Sequence, residues 1–112
     1  MAYKRIEDYG LIGNMHTAAL VGNDGSIDWL CLPFFDSPAV FNSLLDDEKG
    51  GRFLITAIDS VDHRQIYFPE TNVLITRFGS EQSAAQVTDF MPVGKVGASS
   101  HVAPPEIHRI VR

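Results

Sequence analysis

The chain has 112 residues, enough for one domain around a single core and too few for two. Hydrophobic residues make up 45% and charged residues 21%, the balance of an ordinary globular fold rather than a disordered tail. A net charge of -5, with no basic stripe in the sequence, excludes a nucleic-acid phosphate backbone as partner.

The N-terminus, Met1-Ala2-Tyr3-Lys4-Arg5-Ile6-Glu7-Asp8, turns acidic where a secretory signal would need an apolar run. No apolar stretch approaches the roughly 20 residues that cross a bilayer. A cytoplasmic location without membrane contact is the expectation.

The first strands are predicted over residues 17–21 and 27–32. Between them Gly22-Asn23-Asp24-Gly25 supplies residues that tolerate the positive φ of a tight hairpin turn. In the second strand strict alternation puts Ile27, Trp29 and Cys31 on one face and Asp28, Leu30 and Leu32 on the other. Both faces are mostly apolar, which predicts a strand inside a packed sheet. Asp28 would then need a hydrogen-bond partner. Cys31 is the only cysteine, so no internal disulfide can form, and its leucine neighbours predict an inert buried thiol.

Ser37-Pro38 predicts a helix. Ser37 can cap a free backbone N–H, and Pro38 suits the first helical position. Val40, Phe41, Leu44 and Leu45 recur at helical spacing, and Asp46-Asp47-Glu48-Lys49 with Gly50-Gly51 ends the segment.

Strands are predicted again over residues 52–57, 63–68, 72–78, 84–90 and 107–112. Phe53/Ile55, Ile66/Phe68 and Leu74/Phe78 fall at period-two spacing. Pro69-Glu70 and Gly79-Ser80-Glu81 separate three of them at hairpin distances. Residues 92–105, with Gly94, Gly97, Ser99, Ser100 and Pro104-Pro105, read as a long surface loop. The expected fold is mainly β, an antiparallel β-sandwich with one or two short helices. Residues 107–112 begin an amphipathic strand with no turn chemistry after it. Residues 1–112 are therefore expected to be a truncated sandwich, whose uncovered edge strand or sheet face predicts self-association.

These residues carry a resemblance. Ile6-Glu7-Asp8-Tyr9-Gly10-Leu11-Ile12-Gly13-Asn14, His16-Thr17-Ala18-Ala19-Leu20-Val21 and Asp24-Gly25-Ser26-Ile27-Asp28-Trp29-Leu30-Cys31-Leu32-Pro33 follow in order. After them come Phe35-Asp36-Ser37-Pro38-Ala39-Val40-Phe41, Tyr67-Phe68-Pro69-Glu70-Thr71-Asn72-Val73-Leu74, Thr76-Arg77-Phe78 and Val87-Thr88-Asp89-Phe90-Met91-Pro92. Together they closely resemble the N-terminus of family 15 glycoside hydrolases, the prokaryotic glucoamylase-like and trehalase-like enzymes. Phe34 departs from the pattern, where many relatives carry a polar or basic residue.

The resemblance implies an N-terminal sandwich, part of a supersandwich, followed by an (α/α)6 barrel with the sugar pocket. It implies an inverting hydrolysis of α-glucans or trehalose by two glutamates, an acid on the leaving oxygen and a base activating water. Both would sit on the barrel. Glu7, Glu48, Glu70, Glu81 and Glu106 match neither motif, so no catalytic residue is assigned in this chain, and no cofactor is implied. The expected partner is that barrel, which the sandwich would pack against and orient.

Two readings of the central aromatic segment stand side by side. Asp28 and Asp36 flank Trp29, Phe34 and Phe35, and aromatic faces with carboxylates suit pyranose rings. The plainer alternative makes Trp29 core, gives Asp28 a loop to bind, and lets Asp36 support the helix start at Ser37. Between them, Trp29, Phe34, Phe35 and Asp36 are candidates for barrel-facing or sugar-contacting residues. A stand-alone carbohydrate-binding or protein-interaction module is the alternative function. His16, His63, His101 and His108 show no metal spacing, Asp46-Asp47-Glu48 lacks the alternating ligands of a calcium loop, and the early glycines lack the Lys-Ser/Thr of a phosphate loop.

Overall fold

The computed structural model describes residues 4–58, 62–80, 83–93 and 106–112. After a single 3₁₀ turn at Ile6–Asp8 come β1 (Tyr9–Gly13), β2 (Ala18–Gly22), β3 (Ser26–Cys31), β4 (Ala39–Phe41) and β5 (Phe53–Leu54). These form a first antiparallel sheet in the order β1-β2-β3-β4, with β5 sharing with β4 the far side of β3. A second antiparallel sheet runs β6 (Asp62–Tyr67), β7 (Leu74–Gly79), β8 (Ala84–Phe90) and β9 (His108–Val111) in chain order. The expected β-sandwich is therefore present. Its core joins Ile12, Ala19, Val21, Ile27 and Leu30 of the first sheet to Leu74 of the second and Met91 just after β8.

The Asp24-Gly25 hairpin forms as its chemistry requires. Gly25 sits at φ 89, a left-handed conformation that side chains resist, and its N–H donates to the Gly22 carbonyl at 2.9 Å. At Gly10, a Cβ would lie 2.6 Å from a Leu74 methyl, so this glycine sets how closely β1 approaches β7.

Strict alternation along β3 fails. Leu20 pairs with Trp29 but Val21 pairs with Ile27, so Asp28 is the extra residue of a bulge. Ile27 and Leu30, three apart, consequently both reach the core, with Leu32 packed against it. Trp29 turns to the outer face in a row with Leu20 and Leu11, half-buried rather than core.

The predicted helix after Ser37 is absent. Ala39–Phe41 is strand β4, and residues 43–45 and 47–49 are turns. The backbone donors go elsewhere: Asn42 N–H to the Gly50 carbonyl at 2.8 Å, Ser43 N–H to Gly51 at 3.1 Å, Leu44 N–H to Asp28 at 2.9 Å. A ready ladder edge on β3 and the β-preference of Val40 and Phe41 outweigh a helical spacing of only two turns. Strand β1 went unforeseen, and the strand predicted over residues 52–57 is only Phe53–Leu54. The proposed loop over residues 92–105 lies outside the described residues from 94 onward.

Two contacts stitch the sheets at their margins. The Tyr67 hydroxyl accepts from the Leu11 N–H at 2.8 Å and donates to the Leu11 carbonyl at 3.1 Å, closing the free edge of β1. Arg109 reaches from β9 into the opposite sheet. Its guanidinium holds Asp89 at 2.7 Å and donates to the carbonyls of Phe53 at 2.8 Å and Gly25 at 2.6 Å.

Candidate functional site

The β1–β2 and β3–β4 loops meet at one end of the first sheet. Asn14 starts the first loop: its side-chain oxygen accepts the N–H groups of His16 and Thr17, both at 2.9 Å, with Met15 at φ 76. Thr17 then donates its hydroxyl to the Cys31 carbonyl at 2.5 Å. The second loop closes on itself, with the Phe34 N–H on the Ser37 hydroxyl and the Ser37 N–H on the Phe34 carbonyl, each at 3.1 Å. Ser37 therefore caps a tight turn, not a helix. A Phe35 N–H donation to the His16 carbonyl at 3.3 Å ties the loops together.

This scaffold brings three predicted aromatics into one corner. Phe35 stacks on Trp29 with centroids 6.5 Å apart and planes 24° apart. Phe34 meets His16 edge-on at 6.0 Å. Phe34 and Phe35 are 51% and 58% exposed, so each keeps a ring face open to a partner. Asp36 is exposed beside them. It does not support a helix start, because none follows. His16 was not singled out for this corner by sequence reasoning; its place follows from the Asn14 turn, whose Asn-x-His-Thr spacing is the only local signal.

Asp28 does not join Asp36. Its carboxylate is buried and already bound by Ser26 Oγ at 2.5 Å, Lys4 Nζ at 2.6 Å and Tyr9 Oη at 2.7 Å. Burial alone would raise this carboxyl, but the Lys4, Ser26 and Tyr9 hydrogen bonds hold it below its ordinary range. The same burial, together with Asp28, pushes the Tyr9 phenol well above its usual value. A second buried carboxylate, Asp89, is held above its usual range by burial, which Arg109 only partly offsets. The sugar-facing pair of Asp28 and Asp36 is thus replaced by a structural clasp of Asp28 on the N-terminal segment. Cys31 is a buried free thiol, as expected. Among the described residues no group of three His, Cys, Asp or Glu side chains could hold a metal, and no helix is long and apolar enough to cross a membrane.

Fold and corner define a small antiparallel β-sandwich domain with an exposed aromatic rim. The chain belongs to the trehalase-like N-terminal family, whose description matches it over residues 2–103. Trehalase from Thermoplasma volcanium is 46% identical over 112 residues, which cover 97% of this chain and 18% of that protein. Trehalase 1 from Sulfolobus acidocaldarius is 46% identical over 86 residues, 77% of this chain and 15% of that protein. Trehalase from Mycobacterium tuberculosis is 32% identical over 90 residues, 80% of this chain and 13% of that protein. The chain thus spans less than a fifth of the length of these relatives. No solved structure matches it.

Proposed function

We propose that this chain is the non-catalytic N-terminal sandwich of a cytoplasmic, inverting α-glucoside hydrolase of glycoside hydrolase family 15, with trehalose as the favoured substrate. Its work is to pack against an (α/α)6 catalytic barrel and hold it in register. The observation that carries this reading is the match to the trehalase-like N-terminal family over almost the whole chain, in a fold where the two buried carboxylates among the described residues are each held by a cation. Hydrolysis needs one carboxyl free to donate a proton and another free to activate water. Neither Asp28 nor Asp89 is free to do so. Trp29, Phe34, Phe35 and Asp36 are assigned to the rim that faces the barrel and borders its sugar pocket.

The test joins this chain to the remainder of the Thermoplasma volcanium trehalase in place of that enzyme's own matching segment. The hybrid should hydrolyse trehalose, and the 112-residue chain alone should not. An active isolated chain, or a soluble hybrid without activity, overturns the reading. The exposed faces of Phe34 and Phe35 favour one second reading, a carbohydrate-binding module that stacks pyranose rings. Saturable binding of trehalose or maltooligosaccharides to the isolated chain, lost in a folded Phe35→Ala variant, would establish it instead. The isolated chain is further assigned a self-associating edge at β9, where Ile110 and Val111 are 45% and 57% exposed.

A further inference from the structure

The outer face of the second sheet carries a pattern that the scaffold itself does not use. Gln65, Thr76, Val87 and Arg109 point inward: Gln65 donates to the Val21 carbonyl at 3.1 Å, and Thr76 and Val87 are buried. Their neighbours therefore point out. Arg64 lies directly opposite Arg77, Arg77 opposite Gln86, and Gln86 exchanges both backbone hydrogen bonds with Arg112 at 3.0 Å. One row across four strands thus reads Arg64, Arg77, Gln86, Arg112, and its three arginines are all exposed. The next row is mostly apolar, Ile66, Ile75, Thr88 and Ile110, with Ile66 and Ile110 exposed and Ile75 buried.

Among the described residues the remaining arginines are all paired, Arg5 with Glu7, Arg52 with Asp47 and Arg109 with Asp89. The arginines without an ion pair there are the three of this row. Asp62 shares this face two positions before Arg64, and still the sheet sets guanidinium opposite guanidinium. Like charges directly opposite in a sheet cost stability. A carboxylate-bearing surface laid on the row would remove that cost.

We infer that this face docks an acidic amphipathic helix from the catalytic portion of the parent enzyme; the inference rests on the function proposed above. Adjacent strands are about 5 Å apart, so Arg64 to Arg77 spans one step and Arg77 to Arg112 about 10 Å. Carboxylates at positions i, i+4 and i+11 of a helix lie about 6 Å and about 10.5 Å apart on one face, close to the same two separations. Guanidinium forks bind carboxylates bidentately, which fixes register as well as charge. The exposed Ile66 and Ile110 beside them receive the apolar stripe of the same helix.

The test uses the hybrid trehalase just described, with R64E, R77E and R112E combined, and K49E as an exposed-charge control. The row variant should split a single thermal transition into two. It should also speed protease cleavage at the junction about tenfold, while the isolated variant chain keeps the circular dichroism of the parent chain. Arginine-to-glutamine replacements should give an intermediate effect, and K49E none. A row variant that unfolds in one transition and resists protease like the unmodified active hybrid overturns the docking face but leaves the proposed function standing. An inactive unmodified hybrid removes the function first. A salt-sensitive dimer of the isolated chain, dispersed by the same three substitutions, overturns the helix in favour of a second copy. Stabilisation of the isolated chain by inorganic phosphate alone, with the hybrid unaffected, overturns it in favour of a small anion.

Discussion

At Asp28 a carboxylate is withdrawn from water beside an ammonium, a phenol and a serine hydroxyl. Replacing it with Asn removes the charge that Lys4 answers and should cost about 2–4 kcal/mol, read from urea midpoints. The folded carboxyl titrates below its ordinary 3.8, so its stabilisation is fully present above that pH and drains as pH falls through the folded value. The acid limb of a stability profile should therefore be shallower in Asp28→Asn than in the unchanged chain. Gly25→Ala is a harsher change. A Cβ there collides with the Ile55 carbonyl oxygen, and φ is positive, so a loss of at least about 2 kcal/mol is expected. That Asp28 would need partners was legible from its place in an apolar run. Which partners it takes was not, because Lys4 and Tyr9 are remote in sequence and the bulge re-aims the side chain.

Among the elements, hairpins were read well and exceptions poorly. Turn residues and period-two spacing announced β2, β3, β6, β7 and β8, since both signals are local. Strand β4 was hidden by a genuine capping pair, Ser37-Pro38, whose serine instead closes the four-residue turn from Phe34 to Ser37. β1 was missed because Tyr9–Gly13 mixes two glycines with apolar residues and gains its order from pairing with β2 and covering Leu74. Two predictions belong here. Tyr67→Phe should leave the β1 edge open, speeding amide exchange at Leu11 and costing about 1 kcal/mol. Arg109→Leu strands Asp89 without its cation and should cost about 3–5 kcal/mol in a denaturant titration.

For the whole molecule, fold class and family were legible because sandwich patterning and the Asp28-Trp29 and Phe35-Asp36-Ser37-Pro38 segments survive in plain sequence. The aromatic corner was legible too, as three neighbours in one run. What joins the sheets was not: Arg109 bonds Gly25 across 84 positions. At this scale the expected behaviour is concentration-dependent association of the isolated chain, measured by sedimentation. Val111→Lys, which sets a charge on the β9 edge, should disperse it.

The Arg109 clasp also orders events in time. On a ribosome the hairpin around Gly25 emerges first, and the guanidinium that closes over its turn is encoded 84 positions later. Until that arginine clears the exit tunnel, Asp89 and the Gly25 carbonyl have no cation to meet. The nascent sandwich stays unclasped until then, because a contact so distant in sequence closes late.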